Sequence, residues 1–152
     1  VSTTYTQYYE GKHYKFASES EHVDLSSASD AIEAASVDLP FPHNGSYLEY
    51  DESEQVYKYS EYGKAHVDPG NDNAQLAFKN LLLQSCDFEQ LDEHGYMIYV
   101  TNGEAIPITW TKTTETSPTR YYDMSGNEIK INTGKTYVAL VPSDSWDELE
   151  IK

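Results

Sequence analysis

Gly134, Lys135 and Thr136 stand in the order that closes a phosphate-binding loop. Such a loop needs another glycine five residues earlier and a helix behind it, so that backbone N–H groups face the phosphate. Ile129 occupies the earlier position, and the residues behind alternate like a strand, so Gly134 reads as a hairpin turn. His13, His22, His43, His66 and His94 show neither helical nor tight ligand spacing, and no zinc site is expected. Asp68, Asn71, Asp72 and Asn73 could offer oxygens to calcium, but their spacing departs from the EF-hand loop. They read as an Asx-rich turn, so no metal site and no cofactor are assigned. Acidic residues are so abundant that close pairs arise by chance, and nothing singles out the two carboxylates a glycosidase needs. No G-x-S-x-G presents a serine nucleophile. The single cysteine, Cys86, follows an apolar run beside Asp87 and Glu89. Acidic neighbours disfavour a reactive thiolate, so Cys86 reads as a small hydrophobe that has no partner for an internal disulfide. No catalytic residue is assigned.

The formal charge of −16 is uneven. Residues 1–100 hold 5 Lys/Arg against 18 Asp/Glu, and residues 101–152 hold 5 against 8. This field repels phosphate backbones and anionic lipid surfaces, so nucleic acid is excluded as a partner. It suits the solubility of an acidic secreted protein. No run approaches the roughly 18 apolar residues of a membrane-spanning helix. A chain that opens on Val is expected to be part of a longer one. Its 152 residues suit one domain, and its 14 tyrosines point to β-structure with half-buried rings.

The chain is punctuated accordingly. Val1–Gly11 and His13–Phe16 predict a hairpin. Leu25–Ser36 (LSSASDAIEAAS) permits one short helix capped by Ser27 or Ser29, or else a polar loop. Val37, Leu39 and Phe41 alternate, and Pro40 and Pro42 suggest an edge strand. Tyr47–Asp51 and Val56–Glu61 predict a tyrosine-rich hairpin across an acidic turn. Residues 66–73 form a loop. Ala74–Asp87 permits a helix or a buried strand. Glu93-His94-Gly95 predicts a turn, and Tyr96–Thr101 a strand leading into Asn102-Gly103, the strongest hairpin signal present. Ser145–Lys152 offers a last strand through Leu149 and Ile151, or frays.

Gly103–Pro142 contains three further strand-like runs: Ala105–Lys112, Arg120–Asp123 continued by Glu128–Asn132, and Lys135–Val141. Turn residues at Ser117-Pro118, Ser125-Gly126-Asn127 and Thr133-Gly134 separate them, which predicts an antiparallel meander. The segments AIPITWTK, SPTRYYD and GNEIKINTGKTYVALVP carry a resemblance. So do LEYDESEQVYKYSEYGKAHVD and Lys79–Gln84 (KNLLLQ), in the same order. Roughly from Ser46 to Pro142 the chain resembles the C-terminal part of the YerB-like lipoprotein family, DUF3048. The resemblance tips Lys79–Phe88 towards strand. It implies an extracellular, cell-surface lipoprotein of a Gram-positive bacterium, whose only membrane link is a lipid anchor outside this chain. It assigns no chemistry.

The resemblance also sets His66 and Asp68, Trp110 and Lys112, and Arg120 and Tyr121 on family motif positions. These residue types bind through imidazole, aromatic face and forked guanidinium, so they form a candidate ligand site, pictured as a cleft between the meander and the His66 loop. The competing reading puts Trp110 in the core and pairs Arg120 with Asp123 or Asp68. The expected fold is mainly β, an antiparallel sandwich or partly open barrel of about eight to eleven strands with one or two short helices. Residues 1–36 form a lead-in, the end of a preceding domain, and 37–152 the β domain. The expected function is non-catalytic binding of an envelope ligand or protein. The rivals are an enzyme acting on wall polymers through acids and His66, and a structural spacer.

Overall fold

The computed structural model describes residues 14–87, 94–114 and 116–152. The hairpin expected at Val1–Gly11 lies outside them. Among the described residues fourteen strand segments follow in chain order. They are β1 (Ile32–Glu33), β2 (Ser36–Asp38), β3 (Tyr47–Asp51), β4 (Val56–Glu61), β5 (Lys64–Ala65), β6 (Val67–Asp68) and β7 (Ala74–Gln75). Then come β8 (Ala77–Phe78), β9 (Asn80–Cys86), β10 (His94–Thr101), β11 (Glu104–Thr111), β12 (Arg120–Asp123), β13 (Thr136–Pro142) and β14 (Glu150–Ile151). Among the described residues helical structure is confined to 3-10 turns at Glu19–Glu21 and Ser143–Glu148.

The central sheet runs β11–β10–β9–β13, with β1 and β12 sharing the outer edge of β11. The second sheet runs β14–β2–β3–β4, with β5 and β8 sharing the outer edge of β4. β6, within the stretch 66–73 read as a loop, and β7, just after it, form a small separate ribbon. Among the described residues neither sheet closes and every strand-to-strand pairing but one is antiparallel, so the mainly β, antiparallel architecture stands.

The exception is β13, which pairs parallel with β9, Tyr137 against Leu81 and Ala139 against Leu83. The expected meander therefore holds for β10–β11–β12 and fails beyond. Glu128–Asn132 is not a strand. It makes isolated bridges, Tyr122 to Glu128 and Phe16 to Ile131, and lies across the sheet face. Ile131 is fully buried there, so the segment covers the sheet while the chain travels to its other edge.

Two cores result. The first lies between the sheets and joins Val37, Leu48, Tyr57 and Tyr59 to Leu81, Leu83, Val100 and Val141. The second lies on the outer face of the central sheet, where Leu82, Met97, Tyr99, Ile106, Ile108 and Trp110 meet Leu25 and Ile131. Successive strand residues point to opposite faces, so Leu81-Leu82-Leu83 feeds both cores and must be apolar throughout. A continuous apolar run is what a strand covered on both faces needs, and β9 is that strand.

Several local expectations change for the same reason. Residues 25–31 form two successive turns, with Ala28 N donating to Leu25 O at 2.9 Å and Ala31 N to Ala28 O at 3.2 Å. Too few residues are available for a self-supporting helix, and seating Leu25 in the second core and β1 on β11 suits an irregular cover better. β2 ends before Pro40 and lies between β14 and β3, so it is not an edge strand. His94 and Gly95 belong to β10, not to a turn, because Gly95 stands opposite Trp110. A Cβ at Gly95 would come within 2.9 Å of the indole Nε1. Asn102 and Gly103 form the expected two-residue turn, with φ of 53° and 79°.

Buried phenols tie the layers together. The Tyr57 hydroxyl donates to Ala34 O at 2.9 Å and accepts from Gly103 N at 3.0 Å, linking the two sheets. Burial pushes the hydroxyls of Tyr57, Tyr59 and Tyr121 well above the usual phenol range, and that of Tyr99 up to about 12. A phenol that loses its proton less readily when folded supports the fold below its unfolded pKa of about 10, and that support drains away as pH rises through the folded value. We expect alkaline unfolding to set in between these two values. Tyrosinate absorbance should rise in two stages, exposed phenols first and buried ones together with loss of the β-sheet circular dichroism signal. A single stage centred on the unfolded value would contradict this packing.

Candidate functional site

β11 and β12 present Trp110 directly opposite Tyr121, and Thr111 opposite Arg120. Period two then puts Trp110 and Tyr121 on the face that holds the second core. Tyr14 stacks on Tyr121 with ring centroids 6.0–6.1 Å apart along the row: 6.1 Å for this pair, and 6.0 Å from Tyr14 on to Phe16. Tyr14 is 40% exposed and Phe16 47%, whereas Tyr121 and Trp110 are buried. A row of rings thus runs from the core to the surface. Burial, then the neighbouring Tyr14, raises the Tyr121 hydroxyl.

Charge frames this row. Glu128 accepts from Lys15 Nζ at 2.7 and 2.8 Å, and Arg120 Nε stands 3.5 Å from the same carboxylate. Arg120 Nη1 also donates to Thr119 O at 3.1 Å. Asp123 is engaged elsewhere. It accepts from Ser125 N, Asn127 N and Asn127 Nδ2, which close the 124–127 turn and hold its carboxyl below the usual range. Lys112, half-buried, follows β11 at the same end of the sheet. The indole Nε1 of Trp110 is buried without an acceptor among the described residues. Buried N–H groups without partners are rare and call for an explanation.

His66 and Asp68 lie elsewhere. His66 is exposed, with Nδ1 3.3 Å from Glu61 Oε2 and its ring set edge-on to Tyr59 at 5.8 Å. Asp68 accepts from Gly70 N at 2.8 Å within its own turn. Tyr59 belongs to the core between the sheets and Trp110 to the core beyond the central sheet. The structure therefore gathers Trp110, Lys112, Arg120 and Tyr121 at one end of the central sheet and leaves His66 beside β4 of the second sheet and Asp68 in the separate β6–β7 ribbon. The cleft pictured between the two groups is not formed.

Sequence reading missed the concave surface. Two open grooves flank Tyr50, one of about 610 Å³ lined by Glu33, Tyr50, Glu52, Gln55 and Asn102, the other of about 510 Å³ lined by Glu49, Asp51, Lys58 and Gln75. Tyr50 leans on Tyr57 at 5.0 Å and on Gly103, where a Cβ would meet its ring at 3.0 Å. Lys58 bonds Asp51 at 2.6 Å and Glu54 at 3.1 Å, and holds the Asp51 carboxyl far below the usual range. The larger groove depends on the approach of the two sheets, which no local signal announces. Among the described residues no cluster of three His, Cys, Asp or Glu side chains is arranged to hold a metal. No described helix is long and apolar enough to cross a membrane.

Comparison with known proteins agrees with this architecture. The crystal structure of YerB protein from Bacillus subtilis superposes with a TM-score of 0.62 at 19% identity, over 79% of this chain and 44% of that one. The likeness is one of fold, and the match spans less than half of the YerB chain. No curated protein matches. The family model described as "Protein of unknown function (DUF3048) C-terminal domain" matches residues 37–138, and the chain belongs to that family.

Proposed function

We propose that this domain is a non-catalytic binding module of the bacterial cell envelope, and that it takes its ligand at the Trp110, Lys112, Arg120 and Tyr121 end of the central sheet. The observation that carries the reading is the row of rings from Phe16 and Tyr14 to Tyr121, beside the cations Lys15 and Arg120. Exposed aromatic faces beside forked or ammonium donors bind glycans and peptides by stacking and charge-assisted hydrogen bonds. The envelope location is supported by the resemblance to a lipoprotein family and by the strongly acidic composition. The ligand class that fits is a wall-derived glycopeptide, whose carboxylates answer the cations and whose sugar faces answer the rings.

The test is titration calorimetry with solubilised wall glycopeptides. Tyr14→Ala and Arg120→Ala should each weaken binding by about tenfold, near 1.4 kcal/mol, since truncating a contact residue commonly costs this much. Tyr14 is already exposed, so its truncation should barely move the melting temperature. No binding, or binding indifferent to both substitutions, would refute the proposal. The second reading, an enzyme acting on wall polymers, draws on Glu33 and Glu52, which line one groove together. Release of soluble fragments from walls, abolished by Glu52→Gln, would decide for it.

A further inference from the structure

Edges of sheets expose unpaired backbone groups, and proteins shield them with short strands, charge, proline, bulges or cover. Here the outer edge of β11 is shared by β1 and β12, and the second sheet ends in the two-residue strands β14, β5 and β8. β13 is different. It is seven residues long, pairs with β9 on one side, and has no strand on the other among the described residues. Its sequence, TYVALVP, carries no charge in a chain of −16, and only its final Pro142 lacks an N–H. Tyr137, Ala139 and Val141 point into the core between the sheets, whereas Val138 and Leu140 are 39% and 47% exposed.

We infer that β13 is a self-association edge, where two copies of this chain pair antiparallel about a two-fold axis at Ala139. The register is self-complementary. Val138 of one copy faces Leu140 of the other, and the reverse, so the four exposed apolar side chains form one patch on one face of the joined sheet. Tyr137 faces Val141 of the other copy and extends the inner core. The ends of the strand supply charge complementarity. Lys135, just before β13, faces Ser143 of the second copy with Asp144 beside it, and the symmetric pair forms at the other end. Lys135 and Asp144 are exposed, and neither makes a salt bridge among the described residues. Two copies that repel each other through most of their surface can approach along this neutral strand, with one opposite-charge contact at each end.

Sedimentation equilibrium of the protein tests the inference. It predicts a reversible dimer, weakened at least about tenfold by Leu140→Lys, which buries two charges in the shared patch. Lys135→Glu should also weaken it and steepen its salt dependence, and adding Asp144→Lys to Lys135→Glu should restore it. Unchanged circular dichroism in each variant shows that the fold is intact. If Leu140→Lys does not fold, the charge pair alone decides. A monomer at every concentration would overturn the inference. So would a dimer indifferent to both Leu140→Lys and Lys135→Glu, or failure of the reversed pair to restore it.

Discussion

Leu81→Ala and Leu82→Ala should each lower the free energy of unfolding by about 2–5 kcal/mol, measured by urea titration. The two residues are neighbours, and their side chains leave β9 in opposite directions. Both are fully buried, Leu81 between the sheets and Leu82 beneath the cover made by Leu25 and Ile131. In a sandwich wetted on one side, one of the two would face water, and its truncation would cost no more than about 0.5 kcal/mol. Equal and large losses follow only if the central sheet is covered on both faces. A mild effect at either position would remove one of the two cores.

Asn80→Ala should cost about 3–5 kcal/mol, although the residue removed is polar. Asn80 is fully buried. Its Nδ2 donates to Asn132 O at 2.6 Å and to Thr136 Oγ1 at 3.2 Å, while its Oδ1 accepts from Thr101 Oγ1 at 3.0 Å and Tyr99 Oη at 3.3 Å. Asn132 passes the connection outward, exchanging two hydrogen bonds with the backbone of Val23 at 2.8 and 2.9 Å. The network pins the covering segments to the sheet beneath. Truncating Asn80 strips partners from several buried groups at once, and each such group costs about 1–3 kcal/mol. Thr136→Ala removes only a rim contact and should cost less than about 1.5 kcal/mol. Similar costs at both positions would show that the network does not act as the anchor of the cover.

The hairpins were legible from the residues alone. Tyr47–Glu61 alternates across a turn, and Asn102-Gly103 requires the positive φ that its two-residue turn displays. The strand at Ala74–Asp87 stood open to a helical reading, because three successive leucines satisfy either. The placement of β13 was not legible. Alternation reveals which face of a strand is buried, not which strand lies beside it, and the parallel partner is more than fifty positions away in sequence. The cover was hidden for a related reason. Leu25 stands in polar surroundings, and the alternation of Ile129 with Ile131 reads as a strand and not as a cover.

The candidate site was legible in part. Trp110 and Tyr121 come together because hairpin pairing brings their strands side by side, and the family motifs pointed to both. Tyr14 completes the row through a contact of long sequence separation, which no local pattern records. His66 and Asp68 share the family motifs with Trp110 but not the place, because motif order along a chain carries no information on which sheet a segment joins. The competing reading puts Trp110 in the core, and its ring is buried there. Arg120 meets Glu128 and not Asp123, because the 124–127 turn has already claimed that carboxylate.

Trp110 and Trp146, the chain's two tryptophans, report on opposite sides of the central sheet, Trp110 in the outer core and Trp146 against the inner one. The most direct measurement is a titration with solubilised wall glycopeptide that follows the two indole N–H signals by nuclear magnetic resonance, with Trp146→Phe fixing their assignment. Binding at the aromatic row moves the Trp110 signal to saturation and leaves Trp146 in place. A titration that moves neither signal, or only that of Trp146, contradicts the account.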